Sequence, residues 1–200
     1  VAVGFQAGNA VTTGVQNTIV GSLSGDSLTD ADRNTVIGYA ALTLDTLGSR
    51  STALGAITLA NQNFTSATNS YNTAVGYAAG QEVTTGVQNT LIGGQAGDAI
   101  TTGGENVAVG KSSLSANTTA GENTAIGHNA LASNTTGAAN TSLGKSSLAD
   151  NTTGANNTAV GKSALGSNTT ASNNTAVGKN SLTANTTGSS NNAFGEGALD

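Results

Sequence analysis

The sequence predicts an all-β chain, a parallel β-solenoid (β-roll) of about twelve 17-residue coils, and three observations carry that prediction. The first is a glycine column. Gly4, Gly21, Gly38, Gly55, Gly76, Gly93, Gly110, Gly127, Gly144, Gly161, Gly178 and Gly195 are spaced by 17 residues in ten of eleven intervals, the exception being the 21 residues from Gly55 to Gly76. Fixed self-similarity at such a period marks a stacked repeat architecture. The second is the motif before each glycine, clearest as Asn157-Thr158-Ala159-Val160-Gly161. Asn stands four residues before the glycine in ten of eleven repeats, with Ser51 the exception. The third is a compensation. Where the fourth residue after the glycine is Gly (Gly8, Gly25, Gly80, Gly97), the seventh is apolar (Val11, Leu28, Val83, Ile100). Where the fourth is Leu (Leu42, Leu114, Leu131, Leu148, Leu165, Leu182), the seventh is Asp or Asn. One large apolar side chain per coil is what a core of constant volume requires.

Each element follows from local chemistry. Seventeen residues are too few for a helix pair or a propeller blade and suit one solenoid coil. Thr-Ala-Val bounded by Asn and Gly reads as a short strand, with none of the Leu/Glu/Lys runs that build helices. A glycine bend, a second short stretch through Ala-Leu and a turn at Asn-Thr-Thr-Gly complete the coil. Coils stacked roughly 4.8 Å apart make a rod on the order of 55 Å long. The Asn column is expected to form a stacked amide ladder. Alternation along the strand sends Val160 and Thr158 to one face and Ala159 to the other. The expected core column is the apolar one: Val3, Val20, Ile37, Leu54, Val75, Ile92, Val109, Ile126, Leu143, Val160, Val177 and Phe194. A charge at Val160 is then expected to unravel its coil. So thin a core balances chain entropy poorly in a lone monomer. The alanine column (Ala2, Ala53, Ala74, Ala108, Ala125, Ala159, Ala176, Ala193) is expected to let another subunit pack closely, which favours a homo-oligomer.

Residues 1–200 read as a single repeat rod, irregular over 56–75 and most regular over 105–200. Val1-Ala2-Val3-Gly4 matches the middle of a repeat, so the rod is expected to belong to a longer fibre. Charged residues are 8% of the chain and the net charge is −5, which suggests no nucleic-acid partner. No apolar run is long enough to insert this segment in a membrane. There is no Cys, hence neither disulfide nor thiolate metal site.

Asn-Thr-Ala-Val-Gly, followed by Ala-Leu and Asn-Thr-Thr-Gly, is similar to the head repeats of YadA-like trimeric autotransporter adhesins. It looks still more like related repeats of trimeric phage tail fibres. The likeness covers the whole chain apart from the irregular stretch. It implies a left-handed β-roll that trimerises side by side, located outside the cell or on a virion tail fibre. Both the handedness and the number three come from the resemblance alone. The period is longer than in those adhesin heads, and Asn stands one residue closer to the glycine.

Catalysis needs a convergent polar constellation, and none is visible, so no enzyme and no cofactor is expected. The residue after the column glycine is Lys111, His128, Lys145, Lys162 or Lys179 in the second half, a basic stripe that suits either an anionic surface polymer or simple solubility. In the first half the same column carries Phe5, Tyr39 and Tyr77, candidates for sugar stacking or a protein contact. Asp26, Asp30 and Asp32 form a weak hard-cation candidate, and otherwise no metal ligand set is present. The Asn-Thr-Thr sequons (Asn117, Asn134, Asn151, Asn168, Asn185) fall at one fixed turn, so turn chemistry explains them before glycosylation does. The longer coil is expected to bulge as a loop around Asn61-Gln62-Asn63-Phe64-Thr65, with Phe64 a further recognition candidate. The expected function is a structural segment of a trimeric extracellular or tail fibre that presents a receptor-binding surface, with a cell-surface glycan or protein as possible receptor. The alternatives are an adhesin head that binds host matrix or glycan directly, and an ice- or ligand-binding solenoid.

Overall fold

A computed structural model describes residues 1–200. The chain is an all-β parallel solenoid with no helix. Twelve strands stack in chain order into one parallel sheet: Ala2–Val3, Thr18–Val20, Thr35–Ile37, Thr52–Leu54, Thr73–Val75, Thr90–Ile92, Val107–Val109, Thr124–Ile126, Thr141–Leu143, Thr158–Val160, Thr175–Val177 and Asn192–Phe194. Equivalent residues are in register, Thr158 on Thr175, Ala159 on Ala176 and Val160 on Val177. Stacking continues around the rest of the coil, where Leu148 N–H donates to Ala164 O at 3.0 Å and Thr152 N–H to Thr169 O at 2.8 Å.

The column glycine is required twice over. Its φ runs from +123° to +142°, a conformation that side-chain-bearing residues rarely adopt. A Cβ on Gly161 would also lie 2.5 Å from the carbonyl oxygen of Gly178 in the next coil.

The compensation between the fourth and seventh positions holds in space. Leu42, Leu114, Leu131, Leu148 and Leu165 are fully buried, and so are Leu28, Val83 and Ile100. The fourth position is left-handed in every coil, with φ 50° at Leu165 and 56° at Gly97. Glycine adopts that backbone freely, whereas leucine fills the core there at a steric cost of about 1–3 kcal/mol. Glycine also makes room for bulk on the strand. A Cβ on Gly80 would lie 2.6 Å from Leu91 Cδ1, and one on Gly8 would lie 2.9 Å from Ile19 Cδ1.

The strand faces are reversed from the expectation. Ala53, Ala74, Ala108, Ala125, Ala159 and Ala176 are wholly buried, with Ala193 close to it. The apolar column points outward: Val3, Leu54, Ile92, Ile126, Leu143 and Phe194 are exposed, and Val20, Ile37, Val75, Val109, Val160 and Val177 are half-buried. The physical reason is the asparagine two residues before the alanine, which must share its face. Asn157 Nδ2 donates to Ala171 O at 2.8 Å, and Asn140 Oδ1 accepts the Asn157 N–H at 3.0 Å. An amide that satisfies interior backbone groups has to point inward, and alternation then sends alanine in and valine out. The interior therefore excludes the very column that sequence reading assigned to it, and the alanines pack the core instead of a second subunit.

A second buried ladder runs through the Asn-Thr-Thr turns. Asn151 Nδ2 donates to Asn134 Oδ1 and to Gly154 O, each at 2.9 Å. The two ladders meet at shared carbonyls, since Ala171 O accepts both Asn157 Nδ2 (2.8 Å) and Asn168 Nδ2 (3.0 Å).

The longer coil does not bulge as a whole at 61–65: Gln62 is fully buried and Phe64 is 6% exposed, while Asn63, Thr65, Ser66 and Ala67 are outside. Pairing resumes where Thr68–Asn69 adds to Gly48–Ser49 as a small second parallel sheet.

Asn157→Ala is expected to lower stability by about 2 kcal/mol or more, because it strips partners from the buried Ala171 carbonyl and the Asn174 N–H. Ala159→Leu is expected to cost about 1–3 kcal/mol through overpacking. Val160→Thr, on the outer face, is expected to shift stability by about 0.5 kcal/mol or less. Urea unfolding followed by circular dichroism checks all three.

Candidate recognition surface

Outward-pointing columns are the surface that this fold offers to partners, because every coil repeats the same outward positions. Lys111, His128, Lys145, Lys162 and Lys179 are all exposed. Backbone bonds stack them in consecutive coils: Asn129 N–H to Lys111 O (3.1 Å), Ser146 N–H to His128 O (3.0 Å), Ser163 N–H to Lys145 O (3.0 Å) and Asn180 N–H to Lys162 O (2.9 Å). At the end of the stripe, Lys179 Nζ bonds Glu196 Oε1 at 2.7 Å. The hydrogen bond holds the lysine above and the glutamate below its ordinary pKa, but water screens so exposed a pair. In the first half of the rod Phe5, Tyr39 and Tyr77 are well exposed in the same column.

Phe64 does not belong to this surface. Its ring is drawn into the interior of the irregular coil, where it closes the wider turn. The aspartates do not converge into a cation site either. Asp26 accepts Thr43 Oγ1, Asp30 accepts Thr13 Oγ1, and Asp32 Oδ1 accepts the Val15 N–H, so each bridges to a neighbouring coil. No group of three His, Cys, Asp or Glu side chains is arranged to hold a metal ion. The sequon asparagines Asn117, Asn134, Asn151 and Asn168 are fully buried with their amides bonded, as turn chemistry requires.

Sequence reading did not single out two features. One is the sheet's outer face, where the Thr column (Thr18, Thr35, Thr52 and their equivalents) runs beside the apolar column without a charge on either. The apolar column was visible in the sequence, and only the parity of the strand was misassigned.

The other is a buried carboxylate. Asp45 is buried in the 17-residue coil that adjoins the irregular one, with no cation beside it. Its Oδ1 accepts the N–H groups of Gly48 (3.1 Å) and Phe64 (3.0 Å), and its Oδ2 accepts Gln62 Nε2 (2.6 Å). Gln62 bonds on to Ser51 Oγ and Asn72 Nδ2, and Ser51 to Ser70. Burial raises the Asp45 pKa above the ordinary carboxylate range, against the opposing hydrogen bonds. The signal available in the sequence was Asp at a seventh position that holds Asn in the regular coils.

The rod has one surface depression, lined by Val1, Ala2, Gly8, Val11 and Ile19 among others, and it is the open end of the coil stack. No helix is long and apolar enough to cross a membrane. Fold and surface together define a parallel β-solenoid with in-register outward columns. No family model, no curated protein and no solved structure matches the chain.

Because the folded-state pKa of Asp45 is raised, the folded chain binds that proton more tightly than the unfolded chain does. Its contribution is full below the ordinary carboxylate range and is lost as pH rises through the raised value. Asp45→Asn is therefore expected to flatten the decline in melting temperature between acid and neutral pH. Calorimetric scans of both proteins across that range check it, and a parallel decline in the variant refutes it. Asp98, also raised by burial, contributes equally to both proteins and drops out of the comparison.

Proposed function

We propose that this chain is a structural segment of a trimeric extracellular or phage tail fibre, which extends and presents a receptor-binding surface. The observation that carries this reading is the uncharged outer face of the sheet, an apolar ladder that runs the length of the rod. Monomeric proteins rarely leave so long an apolar stripe to water, and such stripes mark association surfaces. A second copy of the same rod repeats at the same interval, so it matches the ladder coil for coil. The number three rests on the resemblance to trimeric fibre repeats. Near-identical coils after about residue 105 suit a shaft, because one interface is simply repeated along it.

Exposed Phe5, Tyr39 and Tyr77 favour a second reading, an adhesin head that binds host matrix or glycan directly. Aromatic rings left in water at one repeat position are suited to sugar stacking or a protein contact.

Light scattering is expected to give about three times the 19.3 kDa chain mass, and a stable monomer overturns the proposal. Ile126→Asp with Leu143→Asp is expected to dissociate the assembly while the far-ultraviolet circular dichroism of the coil is retained. An unchanged assembly mass in that double variant removes the outer face as the interface.

A further inference from the structure

Where the repeat is broken, the surface also changes character. The position five residues before the column glycine is left-handed in every coil, which turns its side chain out at the corner of the rod. In two consecutive coils that position is arginine, Arg33 (φ 60°) and Arg50 (φ 63°), and in the next it is Tyr71 (φ 50°). Elsewhere the same column holds Gln16, Gln88, Glu105, Glu122, Ala139, Asn156, Asn173 and Ser190, with no cation. These are the only two arginines in the chain, and both are exposed. The Arg50 N–H donates to Asp32 O at 2.9 Å, which sets Arg50 in the coil directly above Arg33, roughly 4.8 Å away.

Arg50 is held in one orientation. Its Cζ lies 5.6 Å from the centre of the Tyr71 ring, and its Nε donates to Asn69 Oδ1 at 2.9 Å. That arrangement fixes the guanidinium plane and leaves its Nη groups without a protein acceptor. No carboxylate answers either charge, since the chain's one ion pair is Lys179–Glu196. The adjacent Asp32 is committed to the Val15 amide. Two like charges stacked in successive coils repel each other, and an anion from outside relieves that repulsion. Beside Arg50 stands Tyr71, 52% exposed.

We infer that Arg33, Arg50 and Tyr71 form a binding site for an acidic saccharide, its carboxylate or sulfate held by the two guanidinium forks and its ring lying by the tyrosine. Planar forks recognise such oxyanions bidentately, and an amphipathic ring suits the mixed polar and apolar face of a sugar. A long nucleic acid is disfavoured by two cations alone on a chain of net charge −5. The site is separate from the lysine stripe, which lies on the far side of the strand and mostly in later coils, and it does not depend on the oligomeric reading.

The test is titration calorimetry of the full chain at low ionic strength with three probes. A heparin tetrasaccharide carries sulfate and carboxylate, a hyaluronan tetrasaccharide carries carboxylate only, and maltotetraose is neutral. Binding of at least one acidic probe and not of maltotetraose is expected. Binding of both acidic probes assigns the carboxylate, and binding of the heparin probe alone assigns the sulfate. Arg33→Gln and Arg50→Gln are each expected to weaken binding about tenfold or more. Arg50→Lys, which keeps the charge and loses the fork, is expected to recover only part of it. Lys145→Gln with Lys162→Gln is expected to leave affinity unchanged. The inference is overturned if neither acidic probe binds, if the arginine variants bind like the parent, or if the lysine variant loses as much as they do. Arg33 has no side-chain partner in the protein, so Arg33→Gln is expected to keep the parent melting temperature and separates lost binding from lost structure.

Discussion

The buried amide ladders are the constraint on which everything else rests. A coil of 17 residues encloses too little space to bring its inward carbonyls together in a conventional sheet, yet those groups cannot go unbonded in a dry interior. Asparagine solves this with one side chain, because its amide both donates and accepts. Asn157 takes its place between Asn140 and Ala171, and Asn89, Asn106, Asn123 and Asn140 repeat the arrangement in the preceding coils. The Asn134–Asn151–Asn168 ladder closes the opposite side of the same carbonyls. Since every amide bonds to the coil next to it, no coil is complete alone, and stability is a property of the stack.

The ladders then dictate how the rest of the coil is filled. Once asparagine points inward, alanine shares its face, and valine is left outside. The remaining volume belongs to one leucine held in a left-handed backbone, or to glycine there and an aliphatic residue three positions later. Ser142 illustrates how tightly the space is allotted. Where it replaces the core alanine, its hydroxyl bonds the Ser147 carbonyl at 2.8 Å in the same coil. A core this narrow turns most of the chain's large aliphatic strand residues outward, onto the surface of the rod.

Departures from the repeat concentrate between residues 45 and 72. Four additional residues widen one turn, and the space is taken by Phe64 and by a polar network around Asp45. That network replaces the regular asparagine with a carboxylate and adds a pH dependence that the uniform coils lack. The same irregular turn carries Asn69 and Tyr71, which position Arg50. Uniform coils make a rod, whereas a broken coil makes a place on it that differs from every other.

The sequence by itself determined the period, the parallel stacking, the glycine bend, the exchange of core volume between the fourth and seventh positions, and one of the two asparagine ladders. These were legible because each is a local demand repeated eleven or twelve times, and repetition separates it from chance. The exposed lysine and aromatic columns of the candidate surface were legible for the same reason. Tertiary structure alone decided which strand face is inside, because Thr-Ala-Val alternates equally well either way. The deciding bonds run from Asn157 to Asn140, 17 residues away, and to Ala171, 14 residues away. It alone decided that Phe64 turns inward and that Asp26, Asp30 and Asp32 part company, since each is claimed by a neighbouring coil. It also closed Arg50 against the Tyr71 ring and Asn69, across the single irregular interval where the 17-residue count does not apply.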